Sequence, residues 1–408
     1  MPCCFKKVTP GTIIGFTLLG VSETVYVRVL NVSNGCVNGL DANSAFVTID
    51  CSKVTSIQYT NAFPSPTPPI PPQPSPNCEW DEFVGNPVYN PATRAYYNRV
   101  LYDGMNFAAS EVYKMWYDFD GNGGIALATS PDGTTWTFQS NMIGLAARQR
   151  HSKVLYDPDG FGIGSPYRIW YWDSQYFQID PLFPSVLRMI RTATSTDGIT
   201  WTNDQTLIQD TTSPLIVPIA LAPNYESVGP ADILYYPDNP AVVDPVNPFN
   251  NRYVMYYSID NGSDGQIALA VSSDGISWTR VGPLPVLAKG TAGEWDDRYA
   301  TGQASVLQIS SNEFVMWYSG GRLDTSEGIG CARSTDGINW VKSPLNPVFS
   351  INDGVPWRSG RNYTPSVLYS PTKFDGNGDA VFYKLWMTGA PAGSTSDLNI
   401  GYATNSVT

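Results

Sequence analysis

Apolar and polar positions alternate with a period of two over most of this 408-residue chain. That pattern predicts strands rather than helices. The alternation comes in recurring phrases. "IALATSPDGTTWT" at 125–137 returns as "IRTATSTDGITWT" at 190–202, "IALAVSSDGISWT" at 267–279 and "IGCARSTDGINWV" at 329–341, and a truncated "IGYATNSV" closes the chain at 400–407. Ahead of each lies an aromatic strand: "YKMWYDF" at 113–119, "YRIWYWD" at 167–173, "YVMYYSI" at 253–259, "FVMWYSG" at 314–320 and "YKLWMTG" at 383–389. A further strand precedes each of these: "NRVLYD" at 98–103, "HSKVLYD" at 151–157, "ADILYYP" at 231–237, "ASVLQI" at 304–309 and "PSVLYS" at 365–370. Each repeat therefore has three strands before an Asp-Gly hairpin turn and one after it. Radial repetition of four-stranded antiparallel sheets is the architecture that such phrases predict, an all-β five-bladed β-propeller. A two-sheet sandwich would explain the number of strands but not the repeats.

Two details sharpen the expectation. Trp136, Trp201, Trp278 and Trp340 follow the turns at one shared position and should pack between neighbouring blades. The last copy stops after its third strand, so Cys78–Asn90 is expected to supply the missing outer strand and remove a free edge.

The chain ahead of the repeats differs in character. Residues 1–61 predict a small β module, with strands at 25–30 and 45–49 and Asn-Gly turns at 34–35 and 38–39. Residues 62–77 are proline-rich and read as a semi-rigid linker. The propeller then occupies 78–408. Five of the six cysteines lie within the first 78 residues. A small module with many cysteines suggests disulfides. Cys36 and Cys51 flank the second hairpin arm and are expected to pair within the chain. That leaves Cys3, Cys4, Cys78 and Cys331 without obvious local mates, and adjacent Cys3 and Cys4 are expected to bridge to other chains.

At the level of phrases, "MWYSGG…EGIGCARSTDGINWVK" resembles the repeat of five-bladed propeller glycoside hydrolases and phosphorylases, the arabinanase/xylosidase, invertase/levansucrase and mannoside-phosphorylase-like groups. The resemblance covers roughly 79–408. It implies a site at one end of the propeller axis, where two carboxylates from inner strands act on a glycosidic bond. The inner-strand starts here carry Asn98, Arg99, His151, Asp232, Gln303 and Thr364, so Asp232 is the one carboxylate in that register. Asn98 stands where those groups place an early Asp, and an amide is neither base nor nucleophile. Glu294, with Asp296, Asp297 and Arg298, lies in a connection able to reach over the axis, and Glu226 shortly precedes Asp232. Asp232 and Glu294 are accordingly the expected catalytic pair. Arg99, Arg150, Arg298 and Arg361 recur near blade starts and suit bidentate contacts to a sugar acid or phosphate. Asp118 and Asp173 end second strands and are expected either to cap turns or to point toward the entrance. His151 is the single histidine, and no Ser-His-Asp motif accompanies it.

Two loops offer alternating oxygen donors suited to calcium: Asp118, Asp120 and Asn122 in one, and Asp375, Asn377 and Asp379 in the other. Such stretches are also ordinary hairpin turns. No other cofactor is indicated.

Composition narrows the partners. Charged residues are 15% of the chain, aromatics 13%, and the net charge is −12, which argues against a nucleic-acid partner. No run of 18 apolar residues predicts a membrane span. The stretch after Lys6-Lys7 imitates a short export signal but lacks a cleavage site. An extracellular or surface-associated protein is expected. Two readings follow. One is a glycosidase-like enzyme with an axial pair of carboxylates. The other is a non-catalytic head that binds a glycan or surface protein, displayed on a cell, spore or fibre and self-associating through disulfides. A structural coat component is a third.

Overall fold

The computed structural model describes residues 13–18, 24–33, 36–40, 46–50, 54–60, 74–119, 123–180, 183–209, 229–260, 265–282, 285–322, 326–394, 397–405 and 407. The chain divides into two bodies, Met1–Pro71 and Pro72–Thr408. The first is one antiparallel sheet of β1 (Ile13–Leu18), β2 (Thr24–Ser33), β3 (Cys36–Leu40), β4 (Phe46–Asp50) and β5 (Val54–Thr60), in the order β4-β3-β2-β1-β5. Cys36 lies opposite Asp50 in the β3–β4 ladder. Cys51, Cys3 and Cys4 lie outside the described residues, so the expected Cys36–Cys51 and interchain bridges fall outside them too.

The second body opens with β6 (Asp81–Glu82) and continues as antiparallel units of four strands. They are β7 to β10 (Tyr96–Tyr102, Tyr113–Asp118, Ile125–Ser130, Thr137–Asn141), then β11 to β14 (Gln149–Tyr156, Tyr167–Asp180, Phe183–Ser195, Trp201–Thr206). After the short β15 (Ile208–Gln209) come β16 to β19 (Gly229–Tyr235, Tyr253–Asp260, Gly265–Ser272, Ser277–Val281) and β20 to β23 (Tyr299–Ser310, Glu313–Gly321, Gly328–Ser334, Val341–Lys342). Beyond β24 (Phe349–Ser350), the fifth unit is β25 to β27 (Arg361–Tyr369, Tyr383–Ala390, Asn399–Asn405), completed by β6. A single parallel bridge, Gly265↔Tyr299, joins the third and fourth units into one sheet, and no sheet closes on itself. The first strands β7, β11, β16, β20 and β25 pack each against the next, and β25 against β7. They line one axis. The expected outer strand from Cys78–Asn90 is present, with Asp81 and Glu82 opposite Thr404 and Ala403.

The turn phrase explains the seams between units. In each turn the Ser hydroxyl accepts the Gly amide, as Ser130 Oγ does from Gly133 at 2.8 Å, and the Asp carboxylate accepts the next two amides. Gly133, Gly198, Gly275 and Gly337 all have φ between +69° and +85°, which glycine adopts without steric cost. Their carbonyls then receive a donor from the second strand of the preceding unit. Trp386 Nε1 bonds Gly133 O at 2.8 Å, Trp116 bonds Gly198 at 2.9 Å, Trp170 bonds Gly275 at 2.9 Å, and Tyr256 OH bonds Gly337 at 2.7 Å. The post-turn tryptophans enter the same seams: Trp201 and Trp278 are buried, and half-buried Trp136 and Trp340 lie edge-on to Trp386 and Tyr256.

One seam has no such turn, because the fifth unit ends before it. There Trp317 Nε1 has no hydrogen-bond partner among the described residues. Trp80 packs edge-on against the Trp317 ring at 5.5 Å, and a Cys78–Cys331 disulfide crosses the same place. Two of the four cysteines without local mates, Cys78 and Cys331, are thus each other's partners, a pairing the sequence did not single out, brought together by ring closure over 253 residues of sequence.

Candidate functional site

Every first strand is irregular at one shared position. Ladder register breaks between Tyr96 and Arg99, Arg150 and Lys153, Pro230 and Asp232, Thr301 and Ser305, and Tyr363 and Ser366. Bulges re-aim side chains and bend strands, and here they stack two layers of side chains along the axis.

The inner layer is Arg99, Lys153, Asp232, Ser305 and Ser366, one from each unit. Arg99 Nη1 pairs with Asp232 Oδ1 at 3.0 Å, and its Nε donates to Val154 O at 3.3 Å. Asp232 also accepts the amides of Val306 at 2.7 Å and of Ile233 at 2.9 Å. Lys153 Nζ donates to Ala304 O at 3.1 Å, and burial pushes its pKa down to about 8. Ser305 and Ser366 accept the amides of Val367 and Val100. Amides released by the bulges are thus satisfied by side chains of the adjoining unit, and the layer works as a hub.

The outer layer, two residues earlier, is Tyr97, His151, Pro230, Gln303 and Thr364. Tyr97, His151 and Thr364 have φ of +54°, +52° and +58°, left-handed values that cost strain in non-glycine residues. Gln303 Nε2 lies 3.3 Å from His151 Nδ1, its Oε1 accepts Thr364 Oγ1 at 3.3 Å, and it hydrogen-bonds Tyr97. The His151 ring lies tilted 3.7 Å from Tyr97 and edge-on 4.6 Å from Trp172. Half-buried Arg150 and Arg361 flank this layer. The Arg361 guanidinium lies 4.5 Å over Tyr363, and its Nε donates to Glu327 Oε1 at 2.9 Å. This is the mouth of the channel. Beyond it, β12 and β13 continue pairing past Asp173 to Asp180 and Phe183, which raises a wall at the same end.

Three carboxylates stand behind the mouth, all buried. Asp118 Oδ2 accepts the strained His151 amide at 3.2 Å, while its Oδ1 has no partner among the described residues. Burial lifts the Asp118 pKa well above the carboxyl range, against the opposing His151 amide and Arg150 charge. Glu327 is bound by Arg361, by the Asn362 amide at 3.0 Å and by Tyr299 OH at 2.9 Å, and burial raises its pKa. Asp173 lies in register with Gln149.

The structure brings Arg150, His151, Gln303 and Arg361 together at the mouth, with buried Asn98 beside Thr388. It does not unite Asp232 with Glu294. Asp232 belongs to the hub with Arg99, and the pair share no partner. Glu294 is exposed and accepts the Thr291 amide at 2.5 Å within its own loop. Asp296 receives Lys342 Nζ at 2.6 Å and Tyr318 OH at 3.0 Å. Asp297 is held near pKa 2 by Arg322 and the Gly293 amide. Arg298 is exposed. Glu226, Asp120 and Asn122 lie outside the described residues. In the other candidate calcium loop, Asp375 accepts Tyr102 OH, Asp379 accepts Tyr402 OH, and Asn377 donates to Phe374 O. These side chains fasten a hairpin, and no group of three potential metal ligands occurs among the described residues. Sequence reasoning missed Tyr97, Trp172 and Glu327. Aligning the five inner-strand phrases would have found Tyr97, two residues before Arg99, but nothing in the pattern marks Glu327.

Solved structures share this architecture. A thermostable family-43 glycoside hydrolase matches with a TM-score of 0.51 at 17% identity, over 78% of this chain and 91% of the other. A second glycoside hydrolase matches at 0.51 and 14% identity, over 78% and 92%. The chain has the propeller fold of these glycoside hydrolases. An N-acetylgalactosamine deacetylase from F. plautii, solved with blood group B trisaccharide, matches this propeller at 0.50 and 16% identity, over 82% and 95%. No family model and no curated protein matches the propeller or the module before it.

Proposed function

We propose that the protein recognises a glycan at the channel mouth. The observation that carries this reading is a division of labour there. Half-buried Tyr97, His151, Trp172, Arg150, Gln303 and Arg361 form the mouth, while Asp118, Asp173 and Glu327 are buried behind them. Aromatic faces stack on sugar rings, and guanidinium and amide groups donate to hydroxyls. The propeller fold shared with glycoside hydrolases and the hairpin wall beside the mouth support it. The Cys78–Cys331 disulfide supports an extracellular or surface setting. A glycan array probed with the wild type and with Gln303→Ala tests the reading. Selective binding by the wild type, lost in the variant, is expected, and equal binding by both overturns it.

A second reading is favoured by Asp118, whose Oδ1 has no partner among the described residues and whose raised pKa suits a proton donor to a glycosidic oxygen. Release of nitrophenol from aryl glycosides, abolished by Asp118→Asn with glycan binding retained, would establish it. Binding without turnover would leave recognition alone.

A further inference from the structure

A cleft of about 720 Å³ opens between the second and third blades, within the size range of ligand pockets. It shares no residue with the mouth. Arg168 lies opposite Leu155 in the β11–β12 ladder, and Leu155 lines the far end of the channel, so the cleft opens at the end away from His151.

Arg168 forms its floor and is only 3% exposed. Its Nε donates to Thr192 Oγ1 at 3.4 Å, and its Nη1 donates to Tyr253 OH at 3.2 Å and Asp274 O at 2.6 Å. The guanidinium lies over the Trp170 and Tyr253 rings at 4.9 and 5.2 Å. Nη2 has no partner among the described residues, and no carboxylate forms an ion pair with the group. Lysines stand at the equivalent position of two other blades. Lys384 Nζ has three acceptors, Tyr113 OH, Asn377 O and Asp132 O, and Lys114 faces Glu111 at 3.8 Å.

A buried cation without a counter-ion is costly unless a ligand provides one. The acids nearby are committed elsewhere. Asp204 pairs with Arg191 at 2.9 Å, and Asp274 accepts Ser272 Oγ and the Ile276 and Ser277 amides of its turn. A second guanidinium, Arg252, lines the cleft and, among the described residues, donates only through its Nε, to Asn239 O. Exposed Ile163 offers an apolar wall, and exposed Asn203 and Gln205 offer amides.

We propose that this cleft is a lateral saccharide site that takes the carboxylate of an acidic sugar on Arg168 Nη2, with Arg252 beside it. A planar guanidinium suits a carboxylate better than an ammonium does.

Methyl glucuronide and methyl glucoside differ by the one group at issue. Titration of the full chain with each, followed by saturation-transfer NMR and calorimetry, should show the acid binding at least about tenfold tighter. Arg168→Met and Arg252→Gln should each weaken the glucuronide by about tenfold or more and leave the glucoside unchanged. Arg252→Gln keeps the test valid should Arg168→Met unfold the chain, which the thermal midpoint reports. Gln303→Ala, at the mouth, should leave glucuronide binding intact. Equal affinity for both glycosides, no binding of either, unchanged glucuronide affinity in the folded arginine variants, or loss in Gln303→Ala overturns the proposal. Loss in Gln303→Ala would move the acid to the mouth, whereas failure of the mouth on the glycan array leaves the cleft standing.

Discussion

The two layers of the channel are built from the same five strands, two residues apart, and they use carboxylates in opposite ways. In the hub, Asp232 faces Arg99 and two amides, so its charge is matched on both oxygens. Behind the mouth, Asp118 of β8 has one amide on one oxygen and a raised pKa. Both are buried, so burial alone does not separate scaffold from site. The balance of partners does. Strain adds a second contrast, since the left-handed φ values fall on Tyr97, His151 and Thr364 and none on the hub layer.

Replacing Asp232 should test the contrast most severely. Asp232→Asn leaves Arg99 buried without its counter-ion, and unfolding in guanidinium should show a loss of about 3–5 kcal/mol. A variant as stable as the wild type would strip Asp232 of its hub role. Next in size is the seam that neither layer touches. Cys78→Ser with Cys331→Ser should cost about 2–4 kcal/mol while glycan binding at the mouth persists in the folded protein. Loss of binding in that folded variant would mean the seam shapes the mouth. Gln303→Ala should cost about 1–2 kcal/mol, because one amide serves His151, Thr364 and Tyr97. A loss as large as that of Asp232→Asn would erase the distinction between the layers.

The smallest effect carries the clearest sign. Because the folded pKa of Asp118 is raised, the protonated carboxyl favours the folded state most fully below the ordinary carboxyl range. That contribution is lost as pH rises through the folded value. Asp118→Asn cannot ionise, so its stability relative to the wild type should increase with pH across that window. Lys153 acts in the other direction. Its pKa is lowered from 10.5 to about 8, so its contribution is complete above 10.5 and is lost as pH falls through 8. Thermal midpoints measured from pH 4 to 10 resolve the two, and a flat difference for Asp118→Asn would contradict the raised pKa.

Much of the fold was legible because each repeat carries its own instructions. Ser-x-Asp-Gly closes a hairpin with bonds inside six residues, and the aromatic strand before it holds the donor for the next turn. The hub is less legible for a related reason. Asp232 stands out as the one acid in its register, although the same five phrases align it with Arg99, Lys153, Ser305 and Ser366, a set with two cations for its one anion.

Sequence alone determined the strand phrases, the turns, the position of the proline-rich segment and the need for an outer strand from Cys78–Asn90, since these rest on local geometry and period. Tertiary structure decided which acids are paired, which rings surround His151 and that Cys78 meets Cys331. Those outcomes depend on the register of bulges in separate strands and on ring closure, which set distances between residues up to 253 positions apart. Electrostatic partnership weakens with distance and is screened over about 8 Å at physiological salt, so it is written in the packing of the blades and not in the spacing of residues along the chain.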